Sequence, residues 1–152
     1  MSRYASDYPI FYVTVDIVLL AVVDGVLQTL VIERGEEPTG WAFPGGFVEP
    51  DEDLRAAAAR ELAEETGVRL EEGALEQLGT YGAPDRDPRY LEPPAYARVV
   101  SVAWFAVLPE PVAVRAGTDA AHAQWRPVAE VLAGGLAFDH DQILGDAVTR
   151  VR

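Results

Sequence analysis

The sequence contains no cysteine, so it has neither a disulfide framework nor a thiolate metal site. Any bound metal must therefore use oxygen or imidazole ligands. Basic residues are also scarce: there are 12 against 25 acidic residues, and the formal net charge is -13. Because binding of nucleic acid through a broad surface begins with basic side chains that neutralise phosphates, we expect no nucleic-acid partner.

A long apolar run is missing as well. The most apolar stretch, residues 10–23, is shorter than the roughly 20 residues needed to cross a bilayer, and Asp16 interrupts it. It also lacks the basic region and the small-residue cleavage site of a signal peptide. We therefore expect a cytoplasmic protein with no membrane partner. A chain of 152 residues, 49% of them hydrophobic, suits one domain over residues 1–152.

Apolar and turn-forming residues alternate in a way that predicts strands with helices between them. The Asp-Gly pair at 24–25 separates two strand-like runs and predicts a hairpin, because glycine accepts the positive φ of a primed turn. Further strands are expected at 74–82, at 97–109 and around Trp125. The turn-rich residues 34–46 are expected to form a loop.

Two helices are predicted in the last part of the chain. The first has Pro127 in its first turn and Gly134 after its end. The second has apolar residues at helical spacing, with Asp139 or Asp141 as its N-cap. Strands and helices of this kind are expected to pack in layers around one core.

The segment GGFVEPDEDLRAAAARELAEETGV, residues 45–68, holds seven carboxylates in an already acidic chain. Strong helix formers run from Glu52 to Thr66, which predicts a helix there. Asp51 is the expected N-cap and Gly67 the expected left-handed C-cap. The early acids suit the start of a helix, whereas the later ones need another explanation.

Glu61, Glu64 and Glu65 stand at i, i+3 and i+4 and so share one face of the predicted helix. Like-charged neighbours at these spacings cost about 0.2–0.5 kcal/mol each, and the single Arg60 cannot neutralise all three. Oxygen ligands clustered without thiols suit Mg²⁺ or Mn²⁺. The alternative is a solvated acidic face on an ordinary helix.

The spacing of this segment favours the metal. Its charged, apolar and glycine residues fall at fixed separations: Gly46, Glu52, Arg60, Glu61, Leu62, Glu64, Glu65, Gly67 and Val68. Every fixed position of the signature of Nudix hydrolases is present, and the chain resembles this family. Its members use divalent cations to hydrolyse a diphosphate linked to another moiety, usually a nucleoside. The resemblance implies an α+β fold, an α/β/α sandwich around a mixed β-sheet.

The resemblance also implies a role for each matching acid. The metal ligands would be the carboxylates of Glu61, Glu64 and Glu65 and the backbone carbonyl of Gly45. The catalytic set would include Glu64 and Glu65 with two supporting residues, Glu52 and Arg60, of which Arg60 orients the glutamates. Bound cations would neutralise the diphosphate and lower the pKa of the attacking water, which explains how an acidic protein binds an anion.

Residues outside the signature are similar to the ADP-ribose pyrophosphatase branch of the family. Pro84 is the sixteenth residue after Val68, and the stretches at 81–89 and 136–144 also match that branch. The resemblance thus implies cleavage of ADP-ribose to AMP and ribose 5-phosphate, with Pro84 at the substrate; a turn proline is the alternative. Related transcriptional regulators of NAD metabolism carry a winged-helix domain after the Nudix domain. Because the chain ends at Arg152, we expect none here.

Three charged residues outside the signature are further candidates. Arg86 and Arg89 could clamp the diphosphate or a terminal ribose phosphate through bidentate hydrogen bonds, or could pair with the neighbouring Asp85 and Asp87. Asp119 lies in a loop where relatives supply an extra acidic ligand or a general base; its alternative role is that of a turn residue. Both interpretations stay open for each of them.

Two aromatic residues and two histidines receive structural roles. Trp41 and Phe43 precede the signature and are expected in the core rather than against the substrate. His122 and His140 are the only histidines, and neither has a partner at metal-ligand spacing. We expect both at the surface or in a helix cap.

Two other functions compete with ADP-ribose hydrolysis. A different Nudix substrate, such as a modified nucleoside triphosphate, another nucleoside diphosphate sugar or a capped nucleotide, would use the same acids. A non-catalytic sensor would bind ADP-ribose and act through a partner, although it would have no need of a complete hydrolytic site. Many members of the family are homodimers, so a homodimer is a further expectation.

Overall fold

The computed structural model of the protein describes residues 6–114 and 122–152. These ranges contain seven strands and three α-helices. The strands are β1 (Ile10–Val23), β2 (Val26–Arg34), β3 (Gly40–Ala42), β4 (Gly45–Phe47), β5 (Glu76–Tyr81), β6 (Ala97–Leu108) and β7 (His122–Pro127). The helices are α1 (Leu54–Thr66), α2 (Val128–Gly134) and α3 (His140–Val151).

The seven strands form one mixed sheet, whose central path runs β3-β2-β1-β6-β5. β1 is antiparallel to β2 and parallel to β6, while β6 is antiparallel to β5. The short β4 also pairs with β1, and the late β7 pairs with β2. β1 therefore lies at the centre of the sheet and pairs with three other strands.

Helices cover both faces of the sheet, which confirms the predicted α+β fold and its α/β/α layers. One face packs against α1 through Ala57, Ala58 and Leu62. The other face packs against α2 through Val131 and against α3 through Ile143 and its neighbours. Alternate residues of β1 enter the two cores, so its continuous apolar run reflects burial on both sides.

The local turn and strand signals are confirmed. Residues 24–25 form the predicted hairpin turn between β1 and β2, with φ angles of 50° and 78°. Gly67 caps α1 in the left-handed conformation, as predicted. The strands expected at 74–82, 97–109 and around Trp125 correspond to β5, β6 and β7.

The expectation of a loop over residues 34–46 is confirmed for residues 35–39 and is wrong where β3 and β4 form. β3 forms there because its backbone pairs with β2, and β4 begins there because its backbone pairs with β1. Each strand has only three residues and lies among glycines and prolines, which are typical of turns. Pairing with distant strands therefore overrides the local preference of this segment.

The predicted start of the acidic helix is also wrong by two residues. α1 begins at Leu54 with Asp53 as its N-cap, rather than at Glu52 with Asp51 as its N-cap. The Glu52 carboxylate accepts hydrogen bonds from Arg60 and from a backbone amide, which holds this residue just outside the helix. The hydrogen bonds from Arg60 thus favour a helix that begins after Glu52.

The C-terminal helices form close to the predicted positions. Pro127 precedes α2 as its N-cap, and Gly134 is the last residue of the helix rather than the first beyond it. Asp139 is the N-cap of α3, one of the two predicted candidates, but its carboxylate bonds Arg86 instead of capping the helix. No helix in the described ranges has the length and apolar character needed to cross a membrane.

Leu62 is fully buried between α1 and the sheet. Its replacement by alanine leaves a cavity, so Leu62→Ala should lower the free energy of unfolding by about 2–5 kcal/mol. The matched control is Leu132→Ala on α2, where the leucine is 42% exposed. This control should change the free energy by less than about 0.5 kcal/mol. Urea unfolding followed by circular dichroism measures both, and equal losses would contradict this packing.

Candidate active site

A cleft of about 840 Å³ opens beside β1 and is bordered by β4 and the first residues after it. Side chains of opposite charge line this cleft. Its α1 lining consists of Arg60, Glu61 and Glu65. The other arginines in the lining come from distant parts of the chain: Arg34, Arg86 and Arg89. The fold therefore brings several of the predicted acids and both predicted arginines into one cavity.

The backbone of residues 43–46 forms one border of the cleft and is held from several directions. The Ile17 amide donates to the Pro44 carbonyl at 2.9 Å. The Gly45 amide donates to Glu65 Oε1 at 2.7 Å. Since Glu65 is only 8% exposed, this hydrogen bond fixes the strand against α1 in a sheltered position.

Both glycines of β4 lie close to neighbouring groups. A Cβ atom at Gly45 would collide with the Val15 carbonyl and would lie 2.6 Å from Asp16 Oδ1. A Cβ atom at Gly46 would lie 2.5 Å from the carboxyl group of Glu61. A side chain at Gly45 would therefore force β4 away from β1, whereas a side chain at Gly46 would displace the carboxyl group of Glu61.

Arg60 organises the acids of α1 and of the residues before it. Its Nε and Nη2 donate to the two oxygens of Glu52 at 2.6 and 2.8 Å. Its Nη1 donates to Glu61 at 2.9 Å and to Glu64 at 3.2 Å. Nη2 also donates to the Phe47 carbonyl in β4. Arg60 and Glu52, the predicted supporting residues, thus form one network with Glu61 and Glu64, two of the three carboxylates predicted to bind the metal.

The pKa values of Glu52 and Glu61 shift in opposite directions. The hydrogen bond with Arg60 lowers the pKa of Glu52 and raises the pKa of Arg60 itself. Burial raises the pKa of Glu61 even though Arg60 opposes the effect, because a charged carboxylate loses hydration in the cleft. A cation beside Glu61 would offset that loss.

The chemistry of the donors fits a hard divalent cation. Glu61, Glu65 and Gly45 line the cleft and offer only oxygen ligands, which suit Mg²⁺ or Mn²⁺. The side chain of Glu64 is 57% exposed and turned toward Arg60. As the side chains stand, no three acids or histidines of the described residues converge closely enough to hold a metal. The four metal-ligand assignments, including that of Glu64, stay predictions.

The two predicted arginines bind acids in the folded chain. Arg86 is buried and donates to Asp139 twice, at 2.8 and 2.7 Å, rather than pairing with Asp85 or Asp87, so that alternative is wrong for Arg86. Arg89 follows the alternative of a pairing with Asp87, through side-chain bonds of 2.9 and 2.7 Å. Burial alone would raise the pKa of Asp87, but the bonds and charge of Arg89 lower it. Substrate contact by either arginine stays a prediction.

The other predicted residues have different outcomes. Pro84 is exposed, and it is not among the described residues that line the cleft. Its contact with substrate stays a prediction. Asp119 lies outside the described residues, so its assignment stays a prediction. Phe43 is buried as expected and also lines the cleft. Trp41 is half-buried and packs against the core between the sheet, α2 and α3.

The expectation of a surface or capping role is confirmed for His122 and is wrong for His140. His122 is exposed and lies 3.2 Å from Glu33. His140 is 3% exposed, and its Nδ1 accepts a hydrogen bond from the Phe43 amide at 3.0 Å. Burial lowers the pKa of His140 and so favours its neutral ring. The sequence hides this contact because its partners are 97 positions apart.

Two further residues of the cleft, Arg34 and Phe138, were not identified as candidates from the sequence. Phe138 has a φ of 56°, which is unusual for a bulky side chain. The guanidinium groups of Arg34 and Arg89 each lie 4.9 Å from the centre of its ring. Burial and the charge of Arg89 lower the pKa of Arg34, so an anion at this point would be favoured. The similarity of residues 136–144 to the ADP-ribose branch is the one signal that points here.

Comparisons with known proteins agree with this geometry. A family model described as NUDIX domain matches residues 13–147. The chain is 37% identical over 150 residues to the ADPR responsive transcriptional repressor NtrR of Acinetobacter baylyi, which covers 96% of this chain and 56% of that protein. It is 36% identical over 130 residues to an ADP-ribose pyrophosphatase of Methanocaldococcus jannaschii, which covers 82% of this chain and 70% of that protein.

The solved structures include a similar domain with a ligand. The NUDIX domain of Shewanella oneidensis NrtR, complexed with ADP ribose, has a TM-score of 0.83 and 32% identity, covering 99% of this chain and 95% of that one. The chain spans only 56% of the length of the Acinetobacter repressor, so that likeness concerns one part of a longer protein. The family match extends from β1 into α3 and includes the whole signature. The chain belongs to the Nudix family.

Proposed function

We propose that the protein is a divalent-metal-dependent pyrophosphohydrolase that cleaves ADP-ribose to AMP and ribose 5-phosphate. The cleft supports this function most directly, because buried acids of α1 meet the backbone of β4 in a cavity that arginines also line. Acids could hold the cation that hydrolysis of a diphosphate uses, and arginines could attract its phosphates.

The reaction adds the oxygen of water to one phosphorus and breaks the bond from that phosphorus to the bridging oxygen, which leaves with the other phosphate. A bound Mg²⁺ or Mn²⁺ would supply the charge that neutralises the phosphates and makes the water more acidic. The chain would hold the ligands in place: Glu65 is fixed by the Gly45 amide, and Arg60 orients Glu61 and Glu64.

Relatives support ADP-ribose as the substrate. One relative is an ADP-ribose pyrophosphatase, and one related Nudix domain has been solved with ADP ribose. In this chain, Arg34 and Arg89 beside the ring of Phe138 offer charge and a flat apolar surface, which suit a phosphorylated sugar or a nucleotide base. Another nucleotide would use the same acids, so the substrate is tested separately from the chemistry.

A sensor that binds ADP-ribose without cleaving it is the second candidate. The repressor named above supports it, because its name describes a response to ADPR and it is 37% identical to this chain. The complete set of Glu61, Glu64 and Glu65 supports hydrolysis instead, since binding alone does not need these acids.

Purified protein incubated with Mg²⁺ should release AMP from ADP-ribose faster than it hydrolyses other nucleotides. The panel would contain ADP-ribose, a modified nucleoside triphosphate, a second nucleoside diphosphate sugar and a capped dinucleotide, with products measured by chromatography. Rapid turnover of another member beside negligible turnover of ADP-ribose would replace the substrate. Tight binding of ADP-ribose without cleavage in Mg²⁺ or Mn²⁺ would establish the sensor instead.

Glu65→Gln should lower kcat for the best substrate by at least about 100-fold, because it removes the charge of a proposed ligand. The glutamine oxygen can still accept from the Gly45 amide, so the fold and the binding of ADP-ribose should survive. The matched control is Glu72→Gln, at an exposed position away from the cleft, which should keep wild-type kcat. Steady-state kinetics and calorimetric binding measure the two effects. Equal kcat values for both variants would remove Glu65 from the catalytic set.

A further inference from the structure

The first residue of α3 contacts the backbone between β3 and β4. His140 lies in the cleft lining, and its ring stacks on that of Phe43 at 5.5 Å between centroids. The Phe43 amide donates to Nδ1 of this ring at 3.0 Å. A backbone amide of the segment before β4 is therefore satisfied by a side chain from near the C-terminus, rather than by the sheet.

The other ring nitrogen of His140, Nε2, faces the carboxylate of Asp16. Because Nδ1 accepts a hydrogen bond, the proton of the neutral ring must sit on Nε2. Nε2 lies 3.4 Å from Asp16 Oδ1, and the hydroxyl of Ser101 donates to Asp16 Oδ2 at 2.5 Å. All three residues are buried. Ser101 in β6 and Asp16 in β1 thus favour the tautomer that can accept from Phe43.

The contact at Phe43 lies two residues before the glycines that meet the acids. The Gly45 amide bonds Glu65, and Gly46 lies directly against the carboxyl group of Glu61. Asp16 also pairs with Gly45 in the sheet, so both ends of this short segment depend on the same acid. A shift at Phe43 would reach the acids, because the Gly45 amide bonds Glu65 directly and Gly46 packs against Glu61.

We propose that His140 is a positioning residue, which uses Nδ1 to fix the Phe43 amide and thereby sets the backbone of Gly45 and Gly46 against Glu65 and Glu61. The network of Ser101 and Asp16 holds the histidine ring in the required tautomer. The effect on turnover rests on the proposed hydrolase function, whereas the effect on the backbone does not. Since His140 acts through the backbone, its loss should change kcat more than KM.

Two amide variants separate the functions of the ring nitrogens. The oxygen of asparagine stands as many bonds from the backbone as Nδ1, so His140→Asn can still accept from Phe43. The amide nitrogen of glutamine matches Nε2, so His140→Gln keeps a donor toward Asp16 but loses the acceptor near Phe43. Both variants place a similar polar group in the same buried position, so a difference between them reports on one hydrogen bond rather than on stability alone.

The first measurement needs only the wild-type protein. Nitrogen NMR of the labelled imidazole should find Nδ1 of His140 unprotonated and Nε2 protonated. The reverse tautomer would overturn the proposal, because a protonated Nδ1 cannot accept from the Phe43 amide. This result is independent of catalysis and of whether any variant folds.

Amide hydrogen exchange then tests the backbone. Exchange at Phe43 should be slow in wild type and in His140→Asn, and faster in His140→Gln. The Gly67 amide, which bonds the Ala63 carbonyl at the end of α1, is the internal control and should not change. Unchanged exchange at Phe43 in both variants would overturn the proposal.

Steady-state kinetics and thermal melting complete the test. His140→Gln should lower kcat by about 10- to 100-fold with little change in KM, and His140→Asn should restore most of this loss. Losses that follow the melting temperatures equally in both variants would indicate a structural role only and would overturn the proposal. If wild type turns over no nucleotide, the proposed function fails, and the tautomer and the exchange at Phe43 still decide whether His140 positions the backbone.

Discussion

The amide of Gly45 donates to the carboxylate of Glu65, and this hydrogen bond fixes a strand of the sheet against α1. Because Gly45 also pairs with Asp16 in the central strand, the bond sets the distance between the sheet and the acidic face of the helix. At Gly46 the missing side chain leaves room for the carboxyl group of Glu61. The close approach of this backbone to two acids joins β4 to α1 and shapes the border of the cleft between them.

This approach concentrates negative charge in a protein whose formal net charge is already -13. Arg60 relieves part of the repulsion, since its side chain lies within 4.0 Å of four acids, which are Glu49, Glu52, Glu61 and Glu64. Burial still raises the pKa of Glu61, so the folded cleft retains an electrostatic cost that a divalent cation would offset. The same cation would make the cleft attractive to a phosphate, whereas the remaining acidic surface repels anions.

Features with local causes could be predicted from the sequence. The turn at 24–25, the C-cap Gly67 and the end of α1 at Thr66 follow from residue preferences within a few positions, and the signature identified the family. Features that depend on distant partners could not be predicted. β3 and β4 form against other strands, and the roles of Arg86 and His140 depend on Asp139 and Phe43. Glycine and proline suggested a loop at 34–46 because the partner strands are invisible to local propensity.

The thermal unfolding of wild type and Glu61→Gln during a titration with Mg²⁺ tests most directly whether the acids of α1 hold a divalent cation. A ligand that binds only the folded state raises Tm by mass action. We expect the Tm of wild type to rise steadily with the concentration of Mg²⁺, while that of Glu61→Gln changes little. No change in wild type, with either Mg²⁺ or Mn²⁺, or an equal rise in both proteins, would contradict a cation site at these acids.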